Sequence, residues 1–326
     1  VAPSRGLGDV YKRQGLDIGL FSRVNVSLDW YTRTTKDLLM SKQLNSISGF
    51  SSLLTNVGQM RNTGVELEVR SNNIKTKDFS WTTAFNLSHN KNKILKLADL
   101  PWFVDGRYVR KEGYPFNTIY LREYAGVDPE TGSALYYDNQ QDENGNYTKN
   151  KVTDPGQASP IPLKDITPTI SGGFMNTFNY KFIDLSFNLS YSFGGYSYDN
   201  ASYILQDDGY SVISNKSTEQ RRRWQKPGDI TDVPRFVYGN KKGGNYNSSR
   251  AIHSTDHIRL KSLILGLNAP KAWLQKLGIG NARIYFSGTN LLTWAAYGQY
   301  DPEMSGVVGF YTPPLKTYAF GLELKF

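Results

Sequence analysis

At 326 residues the chain holds one large domain or two ordinary ones, and an apolar fraction of 39% excludes disorder on composition. The absence of Cys excludes disulfides and thiolate metal sites, while 22 Tyr, 16 Phe and 6 Trp among many Gly, Ser, Thr and Asn favour strands and turns over helices. A net charge of +9 permits anionic partners, but no basic helix or nucleic-acid motif accompanies it, so the basic residues are read as decorating loops and one strand face, with no nucleic-acid partner.

No run of about 18 apolar residues exists, so a transmembrane helix is not available; strands of about 9–11 residues with alternate apolar positions remain possible. Neither a signal peptide nor an initiator Met is present. Read as an exported protein, the sequence is expected to lack its true N-terminus.

Residues 1–14 show neither the helical nor the strand period and read as a non-native or assembly-scar segment, leaving 15–326 as the structured part. A strand opens at Gly15. Val24, Val26, Leu28 and Trp30 then alternate with Asn25, Ser27 and Asp29, and Val65, Leu67 and Val69 with Glu66, Glu68 and Arg70. Phe79, Trp81, Thr83, Phe85 and Leu87 share one face of the next strand. The clearest strand is Ile183–Phe193, where Ile183, Leu185, Phe187, Leu189, Tyr191 and Phe193 face one way and Asp184, Ser186, Asn188, Ser190 and Ser192 the other. A short helix is predicted at Pro270–Gly278, from Pro at its start and Gly at its end. The last strand alternates Tyr318, Phe320, Leu322, Leu324 and Phe326 with small or charged residues. In all, about eleven strands are predicted, including Ser133–Asp138 and a short piece before Phe21.

Tight links at Phe21–Arg23, Asp128–Gly132 and Tyr180–Phe182 alternate with long segments at 41–59, 91–116, 139–168, 194–256 and 290–316. Strict alternation of short and long connections predicts an all-β membrane barrel with short periplasmic turns and long external loops, and places Phe326 on the periplasmic side.

Ordered blocks along the chain carry a resemblance. They include Asn56-Val-Gly-Gln-Met60 with Asn62-Thr-Gly-Val-Glu66, Phe85-Asn-Leu-Ser-His-Asn-Lys-Asn-Lys-Ile94, and Ala125-Gly-Val-Asp-Pro-Glu-Thr-Gly132. Further on come Arg223-Trp-Gln-Lys-Pro-Gly-Asp229, Ile258-Arg-Leu-Lys261, Ser287-Gly-Thr-Asn-Leu-Leu292 and Tyr300-Asp-Pro-Glu303. From Gly15 to Phe326 the chain resembles the C-terminal barrel region of SusC/RagA-type TonB-dependent outer-membrane transporters of Bacteroidetes. The resemblance implies the C-terminal half of a large plugged barrel, without plug, TonB-contacting segment or first half of the strands. It also implies residence in the cell outer membrane, a SusD-like surface lipoprotein and the TonB complex as partners, and import of oligosaccharides or peptides. No enzymatic activity and no cofactor are expected.

Among candidate site residues, the aromatic loop residues Trp102, Phe103, Tyr108, Trp224, Tyr238 and Tyr246 could stack on sugar rings, with Trp102, Tyr108, Trp224 and Tyr246 selected as ligand-binding. The bland alternative is that they anchor loops or touch a lid. Tyr318, Phe320, Leu322, Leu324 and Phe326 form the expected signal for the outer-membrane assembly machinery. Arg221-Arg-Arg-Trp224 is read as a solvated loop and Asp142-Glu-Asn-Gly-Asn146 as a tight turn, since Gln140 and Lys151 would be wrong calcium ligands. His253 and His257 lack a third ligand, so no metal site is expected. A passive porin-like pore and a soluble secreted carbohydrate-binding β-protein are the rival functions; the latter requires the apolar faces to pack on one another.

Overall fold

The computed structural model describes residues 8–44, 46–50, 52–56, 58–97, 100–240, 247–275 and 278–326. Nine antiparallel strands form one meandering sheet in chain order: β1 (Gly8–Leu20), β2 (Val24–Lys36), β3 (Gly58–Lys75), β4 (Phe79–Leu97), β5 (Ile170–Tyr180), β6 (Ile183–Phe193), β7 (His257–Asn268), β8 (Asn281–Ala295) and β9 (Thr317–Lys325).

Period-2 alternation is what makes this sheet two-faced. One continuous row runs Ile18, Val26, Val69, Phe85, Phe174, Leu189, Leu260 and Leu292 from β1 to β8. The chain neighbours of those residues form another row, Asp17, Ser27, Glu68, Asn86, Gly173, Ser190, Arg259 and Thr293. Successive side chains on a strand point to opposite faces, so the first row faces one side and the second the other. The apolar face carries exposed Leu292, Trp294, Ile284 and Phe320, the last 81% exposed. In water each such side chain would forgo about 1.5–3 kcal/mol of burial, whereas a hydrocarbon bilayer satisfies it.

Three connections on one side of the sheet are tight turns of two or three residues, between Leu20 and Val24, Lys75 and Phe79, and Tyr180 and Ile183. Phe21 and Ser22 both take φ of 52°, the left-handed geometry of a turn that matches strand twist, and Arg23 N–H bonds Leu20 C=O at 3.0 Å. Lys181 supplies the same geometry (φ 50°) between β5 and β6. The predicted helix occupies the fourth connection on that side as α2 (Lys271–Gln275), closed by Gly278 at φ 67°. All connections on the other side are long.

The strand count needs correction. Ser133–Asp138, expected as a barrel strand, is instead the short strand Ala134–Tyr137, which pairs with Tyr124–Val127 around the Asp128–Gly132 turn and stays outside the nine-stranded sheet. The predicted loops 91–116 and 139–168 are therefore parts of one excursion between β4 and β5, and its turn lies on the long-loop side. Four-residue strands are far short of the roughly 9–11 needed to cross a bilayer. Their alternation buries Ala134 and Tyr136, with Ala158, in a core belonging to the loops.

Strand limits also differ. β4 continues to Leu97, β3 begins at Gly58 and β8 reaches Ala295, all beyond the expected loop edges. β1 begins at Gly8 instead of Gly15, so residues 8–14 of the segment set aside above pair with Trp30–Lys36. Residues 1–7 lie outside the described residues. Ladder bonds are backbone bonds, so a strand continues where apolar alternation stops.

The hydrophobic cores sit in the loops. The segments Trp102–Asp105, Tyr108–Lys111, Thr118–Leu121 and Ile161–Asp165 form a four-stranded loop sheet. Its Ile119 and Leu121 pack with Tyr198 and Ala251 of the connection between β6 and β7.

Candidate functional site

Arg259 organises the polar face near the long loops. Its side chain is 3% exposed and reaches the β8–β9 connection: Nη2 lies 2.7 Å from Asp301 Oδ2 and Nη1 3.0 Å from Glu303 Oε2. Lys261, two residues along β7, adds a 2.6 Å contact to Glu303. These bonds tie the last long connection down onto the sheet. His257 Nδ1 meets the Thr255 carbonyl at 2.8 Å.

Beside this clasp lies a cleft of about 600 Å³, within the ~300–1,000 Å³ of small-molecule sites. Its wall on the β6–β7 side is set by Asp199, which caps α1 (Asn200–Leu205) by accepting from Ser202 N–H at 2.8 Å and also accepts from Tyr297 Oη at 3.1 Å. Tyr297 lies flat on His253, with ring centroids 3.7 Å apart and planes within 3°. Burial raises the Tyr297 phenol pKa and lowers that of His253, leaving the imidazole neutral at neutral pH. Tyr300 hydrogen-bonds Ser197. Phe310 and Tyr311 stand exposed at the rim, and Gln299 and Met304 complete the lining. This mixture of aromatic faces and fixed polar groups suits non-covalent binding of a polar molecule. Among the described residues no cluster of His, Asp and Glu is placed to hold a metal.

The aromatic candidates are dispersed. Trp102, 45% exposed, lines a second cleft of about 450 Å³ on the loop sheet, and Tyr108 lies on the opposite face of the same sheet, against the Ile119–Tyr198 core. Trp224 packs on the loop turn, where its indole covers Gly132 and donates to Pro129 C=O at 2.8 Å. Phe103 is half-buried in the loop sheet and Tyr238 is exposed; Tyr246 lies outside the described residues. Arg222 in the basic run is paired with Glu219 and Asp232. Asp142 closes the expected tight turn by accepting from the Asn144 and Asn146 amides. Tyr318, Phe320, Leu322 and Leu324 share the apolar face of β9, and Phe326 is exposed beyond its end, on the side of the short turns. Asp199, Tyr297, Phe310 and Tyr311 were not selected from sequence. The blocks holding Arg259 and Asp301–Glu303 were, and their ion pair was the missing link between them.

The same chain trace recurs in known proteins. A structure of the RagAB peptide transporter superposes with a TM-score of 0.86 at 31% identity, over 98% of this chain and 35% of that chain. TonB-dependent receptor P3 of Formosa agariphila is 33% identical over 344 residues, covering 96% of this chain. The chain belongs to the SusC/RagA family of TonB-dependent receptors. TonB-dependent receptor SusC of Bacteroides thetaiotaomicron is 28% identical over 334 residues, again covering 96% of this chain. This SusC/RagA-family chain spans about one third of the length of these curated relatives, 33% and 31% respectively. No protein-family model matches it.

Proposed function

We propose that this chain forms barrel wall and external loops of a TonB-dependent importer in the outer membrane, carrying an oligosaccharide or a peptide. The observation that carries the reading is the superposition on the RagAB peptide transporter at a TM-score of 0.86 along 98% of the chain. The continuous apolar face, which no described residue covers, supports a bilayer setting and speaks against the soluble rival, whose apolar faces would have to pack on each other. In this reading the polar face, with Arg259 and the roughly 600 Å³ cleft above it, lines the substrate route. A plug supplied outside these residues closes the route, TonB remodels the plug, and a SusD-like lipoprotein covers the long loops. The apolar row ending at Phe326 is the signal for the assembly machinery. Binding and orientation are the work of the residues here; no bond is made or broken.

The test is uptake of labelled oligosaccharides and peptides by cells carrying or lacking the receptor, each with TonB intact and disabled. Receptor-dependent uptake that stops without TonB supports import. Uptake that persists without TonB points instead to a passive pore. Replacing Phe326 by Ala should lower the receptor's level in the outer membrane, and unchanged insertion would remove the assembly-signal reading.

A further inference from the structure

The second cleft has a chemistry of its own. Alternation in the loop sheet sends Ile119 and Leu121 into the loop core and Tyr120 to the opposite face, where it meets Trp102 with ring centroids 5.9 Å apart. Lys111, paired with Trp102 in the ladder, joins them on that face. The wall opposite is the hairpin carrying Gln141 and Tyr147.

That wall is braced from behind. Asn139 is buried, donating to Glu123 at 3.4 Å and accepting from Lys149 at 3.0 Å, and Gln140 donates to Ser159 at 3.2 Å. By contrast, the indole N–H of Trp102, the Lys111 ammonium, the hydroxyls of Tyr120 and Tyr147 and the Gln141 amide make no side-chain hydrogen bond to any described residue. No Asp or Glu lines the cleft. It therefore offers two aromatic surfaces, a ring of unused donors and one cation without a carboxylate partner, the Lys111 ammonium, which lies 5.1 Å from the centre of the Tyr114 ring. A ligand that satisfies all three has flat C–H faces, many acceptor oxygens and negative charge.

We propose that this cleft binds an anionic saccharide: a sugar ring stacks on Trp102 and Tyr120, and its carboxylate or sulfate meets Lys111. The proposal rests on the import reading for its biological setting and narrows the substrate class; the binding itself can be measured without transport. Cation and stacking surface lie on adjacent, hydrogen-bonded strands of one sheet.

The experiment is equilibrium binding to the intact receptor purified in detergent. The probes are tetragalacturonate for the carboxylate, a carrageenan-derived tetrasaccharide for the sulfate, and maltotetraose as the neutral comparison. At least one anionic probe should bind tenfold or more tightly than maltotetraose, and less tightly as salt rises. Lys111→Gln should remove that preference, and Trp102→Ala should weaken the anionic probe tenfold or more, both with unchanged heat-modifiable migration as evidence of folding. Preference for the carboxylate or the sulfate probe then identifies the charged group. The proposal is overturned if no anionic probe binds, if maltotetraose binds equally well, or if both variants bind as the unaltered protein does. Binding that is intact in a receptor that imports nothing would overturn the import reading and leave this one standing.

Discussion

Tyr191 lies across Gly172, its directly paired neighbour on the next strand, and donates its hydroxyl to Asn86 C=O at 2.7 Å. A Cβ at Gly172 would collide with both the Tyr191 hydroxyl and the Asn86 carbonyl. The same relation joins Tyr31 to Gly64 and Tyr285 to Gly321, so a tyrosine covers a glycine three times across the sheet. Gly172→Ala should destabilise the sheet by about 1–3 kcal/mol through overpacking. Gly173→Ala is the comparison, because its nearest contact would be Asn86 Nδ2 at an ordinary 3.4 Å. The folded fraction during a heat series on gels should fall earlier for the first variant only.

The Arg259 clasp gives a second prediction. Arg259→Met leaves Asp301, 7% exposed, without its cation, and breaking a buried pair costs about 3–5 kcal/mol. Lys261 is 34% exposed, so Lys261→Met should cost roughly 1 kcal/mol or less. Limited proteolysis between residues 296 and 316 should accelerate strongly in the first variant and little in the second.

Gly132 and Trp224 hold two long loops together. Gly132 takes φ of 68° and its α-carbon lies under the indole. Gly132→Ala should therefore release the β6–β7 connection as Trp224→Ala does, and the double variant should add little to either. Protease cleavage between residues 218 and 240 reads this out. If the two effects simply add, the residues act independently.

A pH dependence follows from His253. Its pKa is lowered from 6.5 chiefly by burial, with Asp199 opposing. A lowered histidine is bound to fewer protons in the fold than in the open state, so its penalty is absent well above 6.5 and grows as pH falls below it. The titratable groups around the His253 ring are Tyr297, which stacks on it, and, against Tyr297, Asp199 and Tyr300. The loop assembly should become more protease-sensitive between pH 7.5 and 5. His253→Phe, which keeps a ring against Tyr297, should reduce that change; an unaltered pH response would count against it.

At the first hairpin, Ser22→Gly removes the strain of a side chain at φ 52° and should stabilise the sheet by about 0.5–1 kcal/mol. The same heat series measures it.

Much of this was legible from particular residues. Ile183–Phe193 was legible end to end, because its apolar and polar residues alternate without a break across the two faces of the sheet. Ser133–Asp138 was misread as a barrel strand, since a face buried in a loop core alternates like a face of the sheet; only the four-residue length of Ala134–Tyr137 distinguishes it. The continuation of β4 to Leu97 was missed because backbone pairing does not require apolar alternation. Trp102, Tyr108 and Trp224 were visible as aromatics, yet their neighbours were not. Trp224 meets Pro129 from 95 positions away, Arg259 meets Asp301 from 42, and Trp102 meets Tyr120 only through the pairing of intervening strands.

The sequence by itself determined the two-faced sheet, its short and long sides and its family, because alternation and turn chemistry are local and repeat along the chain. Tertiary structure alone decided which alternating segments belong to the wall, which loops clasp which, and where donors are left unused. Those outcomes depend on contacts between distant residues, and loop side chains carry no period from which such contacts could be read.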